Sequence, residues 1–202
     1  MGLALTSGAR LLGNQGGAVL DPKKILVVYF SRSGNTRKVA EIISQKLNCE
    51  NVLIVTRPYS GLTGYTRALI DTLRHRQVTI EPILRNLENY ELILIGSPIW
   101  ASAPAAQVRA FLLQYQPKLK KVGFFVTQAG SRGSQSVFQE MQRLSKKTPI
   151  GSLVISEQDL KSSAADQRIK AFIESIVRPV LEPSIRRTGS DEPSRDRPKT
   201  AS

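Results

Sequence analysis

Five short runs of apolar, β-branched and aromatic residues recur along the chain, at Ile25–Phe30, Val52–Thr56, Leu92–Ile95, Val122–Thr127 and Leu153–Ser156. None alternates with polar residues, so each predicts a strand buried on both faces, as in a parallel sheet covered by helices. Between the runs, apolar residues return at helical spacing. Val39, Ile42, Ile43 and Leu47 mark a first helix, and Leu69, Ile70 and Leu73 a weaker second. Val108, Phe111, Leu112 and Tyr115 mark a third, with Ser102 as its cap and Pro104 in its first turn. Phe138, Met141 and Leu144 mark a fourth; Ile169, Phe172, Ile173, Ile176 and Val177 mark a fifth, introduced by Ser162 and Ser163.

Strands alternating with helices, joined by right-handed crossovers, give a three-layer, doubly wound α/β fold. Its ligands bind at the carboxyl ends of the strands, where the strand order reverses. Residues 1–23 have no periodicity and read as a loose arm ahead of a domain at 24–180. Residues 181–202 are rich in Pro, Ser, Arg and Asp with almost no large apolar side chain. Such a tail cannot bury enough surface to offset its ordering entropy and is expected to be disordered.

The turn after the first strand is unusual. Ser31, Arg32, Ser33, Gly34, Asn35 and Thr36 lead from the strand into the first helix. The first N–H groups of a helix lack partners within it and carry partial positive charge, which attracts anions. The hydroxyls and the Asn35 amide add donors, and Gly34 lets backbone approach a ligand. A phosphate monoester suits this turn. It is not a Walker loop, since no Gly-Lys-[Ser/Thr] follows, nor the Gly-x-Gly-x-x-Gly of dinucleotide folds. After the third strand, Gly96 and Pro98 are expected to shape a sharp exit, and Trp100, the only tryptophan, stands in a loop where its ring can stack on a planar heterocycle. The alternative is that Trp100 caps the third helix as an apolar lid. The loop after the fourth strand, Gln128, Ala129, Gly130, Ser131 and on to Ser134, is built of small residues that admit a ligand.

Over roughly residues 24–178 these three loops resemble those of the flavodoxin-like FMN-binding family, in particular its small oxidoreductases. Pro98-Ile99-Trp100 and Arg57-Pro58-Tyr59 with Tyr65 carry that second likeness. The resemblance implies a five-stranded parallel sheet of order 2-1-3-4-5 and an FMN cofactor. Ser31, Arg32, Ser33, Gly34, Asn35 and Thr36 would hold the phosphate and ribityl chain. Ser97, Pro98, Ile99, Trp100 and Ala101 would line one side of the isoalloxazine, and Gln128, Ala129, Gly130 and Ser131 would approach its pyrimidine edge. Tyr59 is a weaker candidate. The implied activity is electron or hydride transfer to a small, quinone-like acceptor or to a redox partner protein, with NAD(P)H as a donor; the flavin carries the chemistry and no side chain need act as acid or base.

Two departures from the family pattern matter. Residues 128–134 contain no aromatic, which leaves one ring face open and favours an enzyme over a carrier. The chain is also basic where carrier flavodoxins are acidic, at a formal net charge of +13. The tail from Glu182 holds five basic and four acidic residues, and residues 1–24 hold three and one, so +10 falls on residues 25–181. A basic group ~10 Å from a reduced flavin is worth roughly 1–2 kcal/mol before screening, which would make its potential less negative. A positive field also steers anionic partners. No nucleic-acid motif is present, and specific nucleic-acid recognition is not expected. Two rivals stay open: a pure electron shuttle, and a flavin-free module that binds another phosphate or a partner.

The remaining signals are weaker. Cys49 is the only cysteine, which excludes an internal disulfide and a cysteine metal cluster. His75, between two arginines, reads as a solvated residue. Residues 1–6 formally match an N-myristoylation pattern, which chance often satisfies. No apolar run nears the ~20 residues needed to span a bilayer, and no secretory segment is visible. A cytoplasmic location is the default, and a homodimer is an untested expectation.

Overall fold

A computed structural model describes residues 21–56, 78–130 and 133–181, with side chains up to residue 177. The elements are β1 (Ile25–Tyr29), α1 (Asn35–Leu47), β2 (Glu50–Leu53), β3 (Leu92–Trp100), β4 (Ala103–Pro104), α2 (Ala106–Tyr115), β5 (Lys121–Gln128), α3 (Ser134–Ser145), β6 (Ser152–Ser156) and α4 (Ala164–Leu181). The long strands are parallel and lie in the order β2-β1-β3-β5-β6, with β4 paired antiparallel to the end of β3. Leaving β4 aside, this is the expected 2-1-3-4-5 order. The second helical pattern, His75, Tyr59 and Tyr65 lie outside the described residues, as do the arm up to residue 20 and the tail from residue 182.

Continuous apolar strands supply both faces of the sheet. Leu26, Val28, Ile93, Ile95, Val122, Phe124 and Val126 pack against α2 and α3 through Phe111, Leu112, Val137 and Met141. Their strand neighbours Ile25, Val27, Tyr29, Leu92, Leu94 and Phe125 pack against α1 and α4 through Val39, Ile43, Ile169, Phe172 and Ile176. Alternate residues therefore serve opposite cores, which is why no polar residue interrupts them. Among the described residues, no helix is long and apolar enough to cross a membrane.

The structure corrects several local expectations. β2 begins at Glu50 rather than Val52, and Thr56 makes an isolated antiparallel bridge to Ile80. β3 does not leave the sheet at Gly96 but runs on to Trp100, with Pro98 in register with Thr127. Gly96 makes room instead: a Cβ there would lie 2.1 Å from the Phe125 ring. Pro98 is tolerated because β1 pairs with β3 only as far as Gly96, so one side of β3 has no ladder left to break. Ser102 is not a helix cap, and Pro104 lies in β4 rather than a first helical turn; Ala105 is the N-cap of α2. The cause is a tight hairpin, in which Trp100 pairs with Ala103 and Ala101 and Ser102 form the turn.

Candidate functional site

Three loops that the sequence singles out come together at the carboxyl edge of the sheet, because β1, β3 and β5 are adjacent and parallel. The first joins β1 to α1. Gly34, at φ 93°, is the N-cap of α1, and no side chain caps that helix. Lys38 donates its N–H to Gly34 O at 2.9 Å, so the N–H groups of Asn35, Thr36 and Arg37 precede the helix's own ladder. A Cβ on Gly34 would meet nothing within 4 Å. Ser31 Oγ is buried without a hydrogen-bond partner. Arg32 and Ser33 are exposed, and Asn35 is half-buried.

The Thr36 hydroxyl has a partner that its place in the loop does not reveal. It is 1% exposed, and Oγ1 meets Thr127 Oγ1 at 2.8 Å inside the protein. That pair ties the start of α1 to the end of β5. The Thr36 backbone N–H stays with the helix-start donors.

The second loop is the β3–β4 hairpin. Ala101 and Ser102 both have positive φ, 48° and 60°. A two-residue hairpin with a type I′ turn has this at both central positions, and non-glycine residues there are strained. Ser97 is fully buried; its Oγ accepts from Ala105 N at 2.9 Å and donates to Pro98 O at 2.9 Å. Ser97 therefore has no side-chain surface to offer a ring, and fixes the hairpin to the start of α2. Pro98, Ile99 and Trp100 are half-buried and Ala101 is exposed. Trp100 stands edge-on to Phe30, ring centroids 5.8 Å apart at 87°. It packs on the core cluster that includes α2 residues Val108, Phe111 and Leu112, so the structure leaves the lid alternative standing. Phe30, last in its apolar run, is a neighbour of this site that the sequence reading left in a strand.

The third loop follows β5. Ala129 and Gly130 are exposed, and a Cβ on Gly130 would also meet nothing within 4 Å. Gln128 Oε1 is buried and unpaired. Ser131 lies outside the described residues. Gly133, at φ 95°, caps α3 and packs on Ser102, where a Cβ would come 2.9 Å from Oγ; Ser136 Oγ donates to Ser102 O at 3.1 Å. The hairpin tip is thus clamped by the third loop. A cavity of about 520 Å³ opens beside it, lined among others by Gln128, Gly130, Ser156, Asp159 and Arg168.

A fourth loop, after β6, belongs to the same edge and was missed. Glu157 N donates to Gln128 O at 3.0 Å, and Glu157 Oε1 accepts from Asn35 Nδ2 at 3.1 Å. Asp159 accepts from both Ser156 N and Ser156 Oγ at 2.8 Å. The Ser156 backbone N–H, then its hydroxyl and the nearby Arg168, hold the Asp159 carboxyl below its ordinary range. The same carboxyl-edge rule that picks out the other loops would have found this one.

The chemistry on offer is anion and heterocycle binding. Two open glycines, an uncapped helix start, and two buried oxygens without partners, Ser31 Oγ and Gln128 Oε1, are what a phosphorylated planar ligand would complete. Among the described residues, no group of three His, Cys, Asp or Glu could hold a metal ion.

Comparisons with known proteins identify the fold that carries these loops. The family described as Flavodoxin matches residues 24–176. No curated protein matches the chain. A flavoprotein of Lactobacillus acidophilus NCFM, whose crystal structure contains FMN, is similar at 25% identity and a TM-score of 0.58, covering 69% of this chain and 97% of its own. The apo-form of the flavoprotein from that organism matches at 26% identity and a TM-score of 0.52, over 69% and 96%. A provisionally assigned flavoprotein of Bacteroides eggerthii has the same fold at 22% identity and a TM-score of 0.62, over 76% and 97%.

Proposed function

The chain belongs to the flavodoxin family, and on that premise we propose that it binds FMN at the carboxyl edge of its sheet and serves as an oxidoreductase or electron-transfer protein. The observation that carries the reading is the buried, unpaired Ser31 Oγ beside the uncapped start of α1. A buried hydroxyl without a partner is costly, and a phosphate oxygen would satisfy it.

Bound FMN would supply the redox chemistry, exchanging electrons or hydride at its flavin ring. The chain's own residues bind and orient it. Ser31 and the N–H groups of Asn35, Thr36 and Arg37 would hold the phosphate, with Gly34 giving it room. The Ala101–Ser102 turn and Trp100 would flank the ring, held in place by Ser97 below and Gly133 beside. Gln128 and Gly130 would meet its polar edge. With no aromatic in residues 128–134, one face is left for a small quinone-like acceptor, for NAD(P)H or for a redox partner protein, which supports an enzyme over a carrier.

The test is the visible spectrum of the purified protein before and after mixing with FMN and removing excess. A retained yellow chromophore is expected, bleached by NAD(P)H if the protein is an enzyme and not if it is a shuttle. Ser31→Ala should weaken FMN binding about tenfold, the scale of one charge-assisted hydrogen bond. Its stability should stay level or rise, because it removes an unpaired group. A folded, colourless protein that rejects FMN overturns the reading in favour of a flavin-free module.

A further inference from the structure

The helix start that would take the phosphate already has a carboxylate on it. Asn35, the first residue of α1, donates its side-chain amide to Glu157 Oε1 at 3.1 Å. The pairing spans 122 residues and is held from both ends. On one side, the buried Thr36–Thr127 hydroxyl pair locks the start of α1 over β5 one residue further along. On the other, Glu157 N is bonded to Gln128 O, and Asp159 pins Ser156 just before it. Asn35 and Glu157 are therefore brought together by the fold, although both side chains meet solvent.

We infer that Glu157 sets the phosphate selectivity of this loop: its carboxylate takes the place of a phosphate oxygen on Asn35 when the loop is empty, and opposes a dianionic phosphate when one arrives. The inference rests on the FMN reading and deepens it. Carboxylate and phosphate are both acceptors, so they cannot bond to each other and must compete for or share the Asn35 amide. Their charges repel across a few ångströms of partly wet surface. Arg32, Arg37 and Lys38, in the loop and first turn, favour the anion. Glu157 subtracts from that attraction, so the loop holds a phosphorylated flavin less tightly than its donors alone would allow. It narrows the preference for FMN over riboflavin, which has the same ring and no phosphate.

The experiment compares FMN and riboflavin affinities, by quenching of flavin fluorescence, in the wild type, Glu157→Gln and Glu157→Ala. The Gln variant keeps the shape and an acceptor for Asn35 but loses the charge; the Ala variant also frees the amide. Because Glu157 is exposed, neither variant leaves a core cavity. Glu157→Gln should bind FMN about 3- to 10-fold more tightly at low salt, with Glu157→Ala at least as tight. Riboflavin affinity should not change, and the gain should shrink as salt screens the repulsion. A Gln variant equal to or weaker than wild type for FMN, or a parallel shift for both flavins, overturns the role of Glu157 while the cofactor reading stands. No flavin binding in any of the three proteins overturns both. Binding by the variants alone supports the role of Glu157 and overturns the cofactor reading for the protein as it stands.

Discussion

The two edges of the sheet are finished to different degrees. At the amino edge the backbone closes on itself. Glu91 N bonds Lys24 O at 2.8 Å, Ile150 N bonds Val122 O at 2.8 Å, and Cys49 N bonds Ser44 O at 3.0 Å. The residues with positive φ at that edge, Asn48 and Lys146, are C-caps of α1 and α3, the usual place for such a conformation. At the carboxyl edge, positive φ falls instead on two non-glycine residues of a hairpin turn, and α1, α2 and α3 all start without a side-chain cap. Leaving aside Arg109 and Glu140, whose Nε and Oε1 meet at 2.8 Å, the buried side-chain atoms without a hydrogen-bond partner among the described residues are Ser31 Oγ, Gln107 Oε1 and Gln128 Oε1, in the first loop, at a helix start and at a strand end of the carboxyl edge. Yet the larger cleft, about 680 Å³, lies at the amino edge, lined by Pro22, Ile25, Ser44, Cys49 and Tyr90 among others. Size alone would point there. Unfinished polar chemistry and strain favour the carboxyl edge for the site proposed above, because a ligand can complete them.

The glycines offer the sharpest way to break that contrast. At the amino edge, a Cβ on Gly151 would come 2.6 Å from Ile176 Cγ2 and 3.2 Å from Phe172 Cε2. Gly151→Val should cost about 3 kcal/mol, the upper range for overpacking a closed core, read as a lower urea midpoint. Gly130 at the carboxyl edge opens onto empty space. Gly130→Val should change stability by no more than about 0.5 kcal/mol but weaken FMN binding. Equal destabilisation by both would mean that Gly130 is as enclosed as Gly151.

The Thr36–Thr127 pair tests whether any of the carboxyl edge is finished. Both residues are at most 5% exposed and each hydroxyl has the other as partner. Thr36→Val should cost about 1–3 kcal/mol by stranding Thr127 Oγ1. Adding Thr127→Val should recover much of that loss, since no unpaired group then remains. Additive losses in the double variant would show that the hydroxyls do not work as a pair.

These pairs also show where the sequence stops being readable. The strands were legible because Ile25 to Tyr29 and Leu92 to Ile95 serve two cores at once and so carry no polar residue. The first loop was legible because helix-start chemistry is local. The Thr36–Thr127 pair was not legible because the partner is 91 residues away, and nothing near Thr36 in the chain reveals a buried hydroxyl pair. Gly96 and Pro98 read as a strand exit by local turn chemistry, but the Phe125 ring that needs the space above Gly96 comes from the neighbouring strand. Ser102 and Pro104 look like a helix start for the same local reason, whereas cross-strand pairing of Trp100 with Ala103 decides the matter. Glu157 left no local signal, since a lone acid after a strand is common on any surface.

Strain at the two edges can be compared directly. Ala101→Asn with Ser102→Gly installs residues that accept positive φ in a two-residue hairpin, and should raise stability by about 1 kcal/mol. Lys146→Gly does the same at the C-cap of α3, where about 0.5–1 kcal/mol is expected. Both gains are measured by thermal unfolding. Only the hairpin change should alter FMN affinity, because its turn flanks the ring under the proposed function. A change in FMN affinity with Lys146→Gly would break the separation of the two edges.

The smallest effect belongs to Cys49, in the cleft of the finished edge. Burial pushes its thiol up to about 11, with a hydrogen bond from Ser44 opposing and Glu50 adding to the rise. The raised value means that the folded protein holds this proton more tightly than the unfolded chain does. The stabilisation is therefore complete below the ordinary thiol value and is lost as pH rises from about 9 to about 11. Water reaches this half-buried group, so the loss should stay under about 1 kcal/mol. Lysines and tyrosines titrate in the same window, and the difference between wild type and Cys49→Ser isolates the thiol. Wild type should lose stability faster than Cys49→Ser between those pH values and match its slope below pH about 8. At neutral pH the thiol should alkylate far more slowly than a free cysteine, since the thiolate is the reactive form. Fast alkylation of the folded protein would show that the large cleft is reactive after all, and would remove the contrast from which the placement of the site is argued.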